Sequence, residues 1–355
     1  MSVYIFMIIS TTLMSIGAVR SKKSGKKSLE FAFKIMMFSI PFLVMGFRYG
    51  IGQDYFYTYV PVFQRIKLSG TYAGVELGYV FLNKLVLFFT KDYLGIFILT
   101  SALFCGFIYK AIWNNSKDVV LSEYILFTSC FYFYAMNVVR QSIVIAIFIF
   151  SLKYIKEKKL GKYIITILLA SLIHKIAFIF IPIYFIADLK IDLRKIILLV
   201  CTVIIGTTII NNIIVKIVSG TKYENYITGK YVVSENSMIS PFINAATLLL
   251  CLYYKKKDRK QGIEDKELNL LTNIHIVALL SSLLLGSFPL ASRIFLNFYH
   301  VQLITIPLLL QKEKRKQMRM LMYILYVIGF GTIFAYSVGY KNGNKVLPYR
   351  TIFDR

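Results

Sequence analysis

The chain has 355 residues, 57% of them hydrophobic, with a mean hydropathy of +0.65. That is too apolar for a soluble module of this length, and the apolar residues fall in blocks long enough to cross a bilayer core of about 30 Å. A net charge of +25 invites a nucleic-acid reading, but in a membrane chain such a surplus first reports which side the cations occupy.

In chain order, apolar runs place spans near 3–19, 31–47, 93–112, 119–137, 140–153, 163–174, 176–188, 196–217, 239–254, 268–289, 294–310 and 320–338. The runs are continuous, not alternating. The expected fold class is therefore an all-α polytopic membrane protein of about 12 transmembrane helices, in a single domain covering 1–355. The opening "MSVYIFMIIS" has no basic leader and no small-residue cleavage site, so it reads as a retained first span. With the amino terminus outside, "RSKKSGKK" (20–27), "KYIKEKKLGK" (153–162), "KKKDRKQGIEDK" (255–266) and "KEKRKQMR" (312–319) all fall inside. This arrangement gives the inner side about twice the Lys and Arg of the outer side, as the positive-inside rule asks, and puts both termini outside.

Two segments resist the count. Segment 77–89 is short and carries Asn83 and Lys84, so it is expected as a re-entrant or interfacial helix on the outer side. The stretch 163–188 has no turn residues at its middle, yet its basic flanks require an even number of crossings; it is expected as a hairpin of short helices turning at His174–Lys175. Cys105, Cys130, Cys201 and Cys251 lie in apolar segments at no metal-ligand spacing and read as small core residues. His275 and His300 read as packing residues, and neither a metal site nor a cofactor is expected.

With this topology the unusual polar residues collect on the outer face, in the loops 48–92 and 218–238 and at helix ends. Arg48 ends the second span, Arg140 opens the fifth, His174 and Lys175 form a turn, and Arg293 follows span ten. A single boundary arginine normally snorkels to headgroups. Arg140 and Arg293, however, each start an inward-running helix, where free backbone N–H groups and a guanidinium fork together suit a phosphate or pyrophosphate. The glycines of "RYGIGQD" (48–54) offer further amides. His174 reads either as a general base or as a helix-end histidine satisfied by backbone. Tyr49, Tyr55, Tyr57, Tyr59 and Tyr72 fit an interfacial aromatic belt, and beside a cavity they would also stack on sugars. The tyrosine-bearing loop 218–238 is a lid or a plain connection.

The motif series is "FRYGIGQDYFYTY" (47–59), "ELGYVFLNKLV" (76–86), "MNVVRQSIVIAIF" (136–148), "LIHKIAFIFIPIY" (172–184), "SRIFLNFY" (292–299) and "LPYRTIF" (347–353). In this order it resembles the EpsG/Wzy-type family of bacterial exopolysaccharide, capsular and O-antigen polymerases. The resemblance implies a metal-independent membrane glycosyltransferase in the cytoplasmic (inner) membrane, with its site facing the exterior. Its substrates would be undecaprenyl-pyrophosphate-linked oligosaccharides, a glycan moving from one carrier to the non-reducing end of another lipid-linked repeat. Implied partners are membrane lipids, a chain-length regulator and a Wzx-type flippase, with no nucleic acid. On these motifs the catalytic residues are expected to be Arg48, Arg140 and Arg293 at the pyrophosphate and His174 as base, with Asp54 or Glu76 as substitutes for the base. Tyr49, Gly52, Asp54, Tyr55, Glu76, Tyr79, Asn83, Gln141, Lys175, Tyr299 and Tyr349 are expected to contact substrate. A flippase or exporter of the same lipid-linked sugar, a sugar-decorating acyltransferase and an O-antigen ligase-like transferase are the rival readings.

Overall fold

The computed structural model describes residues 1–218, 239–284 and 291–355, which are mostly helical and contain no strand longer than an isolated bridge. Residues 219–238 of the expected tyrosine-bearing loop 218–238, and the end of the expected span 268–289, lie outside the described residues. The chain gathers into two compact units, Met1–Ile181 with Glu313–Arg355, and Pro182–Lys312.

The first unit opens with α1 (Ser2–Lys23) and α2 (Lys27–Gly46), a π-helical turn at Tyr55–Tyr59, α3 (Val60–Ser69), α4 (Leu77–Phe89) and α5 (Leu94–Asn115). It continues with α6 (Val119–Thr128), α7 (Phe131–Asn137), α8 (Val139–Lys156), α9 (Leu160–Ser171) and a 3₁₀ turn at Lys175–Phe180. The second unit holds α10 (Ile183–Ile186), α11 (Leu193–Val218), α12 (Ile239–Lys260), α13 (Lys266–Leu284), α14 (Ala291–Tyr299) and α15 (Gln302–Lys312). The chain then returns to the first unit as α16 (Lys316–Phe334), followed by a π-helical turn at Ala335–Tyr340.

The core of the first unit is α8. Its run "SIVIAIFIF" is apolar on every face, and a helix of that kind must be surrounded. It packs against α5, α7 and α9, with Ile143, Val144, Ile145, Ala146, Phe148 and Ile149 fully buried, and Phe148 stacks on Phe180 at 3.9 Å. By contrast α1, α2 and α16 turn Phe6, Ile9, Phe31, Leu325 and Ile328 outward. Apolar faces this continuous are stable against hydrocarbon and not against water.

Among the described residues five helical stretches have the length and apolar composition to cross a membrane: Ser2–Lys23, Lys27–Gly46, Leu94–Asn115, Arg293–Lys312 and Lys316–Tyr340. A sixth arises if α6 and α7 count as one span, though they meet at 50°. The sequence suggests one rod over 119–137; the structure breaks it at Cys130, whose φ of 66° is left-handed and cannot continue a helix. The expected span 140–153 lies within the 18-residue α8, which carries Arg140, Lys153 and Lys156. In the expected hairpin 163–188, α9 has only 12 residues, about 18 Å. The expected span 176–188 is not one helix but the 3₁₀ turn at Lys175–Phe180 and the four-residue α10. The α4 helix, expected as re-entrant or interfacial, has 13 residues, and α9 and α4 both fall short of a bilayer crossing. Cys105 and Cys251 are buried as expected, whereas Cys201 faces outward along α11.

The first unit has two chemically different ends. At one, the start of α1, the loop after α2 and the carboxy-terminal tail meet. Tyr4 Oη donates to the Val346 carbonyl (2.8 Å), Tyr49 N–H to that of Arg350 (3.0 Å) and Gly52 N–H to that of Lys345 (3.0 Å). About 30 Å along α1, Lys22 and Lys34 lie 5.7 and 4.1 Å from the Trp113 ring. Lys153, near the end of α8, sits 3.9 Å from Phe150.

Candidate functional site

The first turn of α4 sets up the cluster. Gly78 lets α4 press onto the turn that follows α9, where a Cβ would come 2.6 Å from the Leu172 carbonyl oxygen. Tyr79 N–H lies 3.3 Å from the same oxygen. This approach delivers Glu76, the extended residue just before α4, to the turn at 172–175. There Glu76 Oε1 accepts from the Lys175 amide (3.0 Å) and stands 3.3 Å from His174 Nδ1. Its other oxygen, Oε2, pairs with Arg140 Nη1 at 2.5 Å. The Arg140 guanidinium rests 5.3 Å from the centre of the buried Tyr79 ring, so its position is set by a stacking face as well as by charge.

The cluster is partly enclosed. The side chains of Glu76, Arg140 and His174 keep 11, 17 and 31% of their exposure, so the imidazole is the group nearest water. Burial pushes the Glu76 carboxyl up, but hydrogen bonds from His174 and the Lys175 amide, with the Arg140 charge, outweigh it and hold it down at about 2. Glu76 is thus an anion across the ordinary pH range with both oxygens engaged. That suits a group that orients others, and not one that takes a proton from substrate.

The other expected residues stand as follows. Arg48 is 1% exposed, and its Nη1 and Nη2 donate to the carbonyls of Met45 and Met136, the latter at 3.0 Å. Its guanidinium lies 4.9 Å from the Phe97 ring. The sequence points it at a pyrophosphate; the structure turns it inward, because the tail bridges to it at Thr351 and covers the loop. The amides of Tyr49 and Gly52, expected to join an anion site, are taken by that same tail. Gly52 has φ +91°, and a Cβ there would meet the Met136 carbonyl oxygen at 2.9 Å, so glycine is required for packing. Tyr55 is buried and stacked on Phe97 at 4.0 Å. Tyr349 donates to the Val44 carbonyl (3.1 Å). Asn83 folds back onto the Tyr79 carbonyl (2.7 Å), and Gln141 is buried in α8. The Asp54 amide N–H donates to Asn137 Oδ1 (2.9 Å), next to the start of α8. Lys175 is exposed. Arg293 and Tyr299 belong to the second unit: Arg293 is exposed on α14, and Tyr299 is buried against Phe295. In that unit His275 bonds Asn244 Oδ1 (2.7 Å) and Thr305 Oγ1 (3.0 Å).

Three residues shape the site in ways the sequence does not show, and of these Tyr59 stands out there only as a belt tyrosine. Tyr59 Oη accepts the Val139 amide (2.8 Å), so a phenol caps the start of α8, where the sequence suggests an open amide for an anion. Asn137 anchors the Asp54 loop, and Gly78 sets the approach of α4. Only Gly78 gives a signal, a glycine inside a first helical turn between two bulky residues.

Chemically, the cluster offers a guanidinium for an anion next to an imidazole whose Nδ1 edge faces a carboxylate. The opposite ring nitrogen, Nε2, is the atom able to accept a proton. The sequence profile of the EpsG family matches residues 31–351, nearly the whole chain, with five of the six motifs entire and the sixth as far as Thr351. No curated protein and no solved structure matches it.

Proposed function

From the premise that this chain belongs to the EpsG family, whose membership carries a polysaccharide polymerase-type function in a membrane setting, we propose the following reaction. The protein transfers a growing glycan from undecaprenyl pyrophosphate to the non-reducing-end sugar of a second lipid-linked repeat. The observation that carries this reading is the Arg140–Glu76–His174 cluster at one end of the first unit.

In the proposed step His174 Nε2 takes the proton of the acceptor hydroxyl as its oxygen attacks the anomeric carbon. The bond from that carbon to the diphosphate oxygen breaks, and undecaprenyl pyrophosphate leaves as an anion beside Arg140. Base assistance of this kind contributes about 10²–10⁴-fold, and a cation placed where charge develops contributes a comparable factor. Direct displacement would invert the anomeric centre. The site would face the exterior of the cytoplasmic membrane. The clustering of both termini and the site at one end of the first unit, with Lys22, Lys34 and Lys153 toward the other, supports that orientation. A topology of about twelve membrane segments with both termini outside, in which 163–188 is a hairpin too short to cross fully, belongs to the same proposal, as do the chain-length regulator and the Wzx-type flippase partner.

The test is reconstitution. Purified protein in liposomes, given only its lipid-linked repeat, should produce a ladder of longer glycans and release undecaprenyl pyrophosphate. Vectorial movement of the lipid without elongation would establish the flippase reading instead, and transfer to a non-repeat acceptor alone would establish the ligase.

A further inference from the structure

His174 Nδ1 stands between two groups that ask opposite things of it. The Ile176 amide, 3.5 Å away, can bond only to a bare nitrogen, as His174 caps the 3₁₀ turn that follows. Glu76 Oε1, 3.3 Å away, can accept only from a protonated one. A bare lone pair aimed at a carboxylate is repelled, whereas an N–H donated to an ionised acceptor makes one of the stronger hydrogen bonds. The Ile176 contact is at the outer limit of distance. The carboxylate therefore decides the tautomer, and the proton sits on Nδ1.

We infer that Glu76 is a positioning residue, whose carboxylate keeps the His174 proton on Nδ1, leaves Nε2 bare for the acceptor hydroxyl, and ties that ring through its second oxygen to Arg140. The inference rests on the polymerase reading for its kinetic consequence, but not for the tautomer itself. The charged and titratable groups around the ring are Glu76 and Tyr79 from α4, Arg140 from α8 and the neighbouring Lys175. Among them Glu76 alone is an anion at ordinary pH. Three donors converge on its two oxygens: Arg140 Nη1, His174 Nδ1 and the Lys175 amide.

An amide in the same place cannot serve all three. Glutamine has one acceptor oxygen, and the Arg140 guanidinium holds it, since the alternative sets an NH₂ against a cation. The glutamine NH₂ then faces His174 Nδ1 and makes it an acceptor, a role the Ile176 amide also favours. The ring proton moves to Nε2, the atom required to be bare. Loss of the orienting carboxylate in a Ser–His–Asp triad acts in this way and costs about 10⁴ in kcat.

The experiment uses full-length protein in nanodiscs with ¹⁵N-labelled histidine, at a pH of about 8, where an ordinary imidazole is neutral. His174 is assigned by the signal lost in H174N. Wild type should show the Nδ1–H form and E76Q the Nε2–H form, while E76D should keep Nδ1–H. In the elongation assay E76Q should lose roughly 10²–10⁴-fold in kcat with donor KM within a few-fold of wild type, and E76D should recover part of the loss. The inference is overturned if the E76Q ring keeps the wild-type tautomer, or if kcat and KM worsen together with E76D no better than E76Q. A protein that elongates but whose ring ignores Glu76 sinks the inference alone. One whose ring follows Glu76 but which never elongates sinks the polymerase reading and leaves the orientation standing.

Discussion

Arg48 and Arg140 make the most instructive comparison in the molecule. Both sit at helix ends toward the same end of the first unit, and Arg48 reaches the Met136 carbonyl only four residues before Arg140 in the chain. Arg48 donates to two main-chain carbonyls under a ceiling of aromatic rings and carboxy-terminal tail. Arg140 pairs with a carboxylate that also faces an imidazole and a main-chain amide, at a partly open turn. The first arrangement spends the guanidinium on holding two chain segments together. The second pairs it with groups that can exchange partners. An arginine at a membrane boundary is thus read less from its position than from what its fork touches.

Four substitutions or conditions sharpen that contrast, the largest effect first. R140A should cut elongation by about 10²–10³-fold while most of the protein remains folded; loss confined to folding would erase the distinction from Arg48. R48A should do the reverse, destabilising the fold by roughly 2–4 kcal/mol through two lost charged hydrogen bonds and a void, with turnover per folded molecule nearly kept. Size-exclusion profiles, melting curves and elongation rates on the same samples separate these outcomes.

The third test uses acid. A carboxyl whose folded pKa is depressed stabilises the fold above its unfolded value, here 4.5, and loses that contribution as the pH falls toward about 2. Wild type should therefore be more stable than E76Q above about pH 4.5, with the gap closing toward about pH 2. The expected gap is on the order of 1–2 kcal/mol, because water reaching the cluster screens the pair. A gap that does not change with pH would show that the Glu76 charge contributes nothing. The smallest effect is expected at Arg355, which pairs with Asp92 at 2.6 Å with both side chains exposed. R355A should leave melting temperature and polymer length unchanged, since exposed pairs of this kind contribute little.

The comparison also explains what the sequence made legible. The apolar runs identify most helices, because continuous hydrophobicity suffices to form a buried or lipid-facing helix. The break at Cys130 is not legible, since nothing near it is glycine or proline, the residues that usually mark a break in a helix. Arg140, Glu76 and His174 each stand out as polar residues beside apolar runs. Their meeting does not, because Glu76 reaches residues 64 and 98–99 positions away, through a close approach that only Gly78 hints at. The inward turn of Arg48 was equally hidden, as its cover comes from the far end of the chain, at Lys345, Arg350 and Thr351.

The most direct measurement is elongation by purified H174A beside wild type, at equal folded protein and saturating lipid-linked repeat. Wild type should give a ladder and the variant single repeats, with at least about a hundredfold slower elongation and donor binding intact. A variant ladder equal to wild type in length and rate would contradict the role of His174 as base.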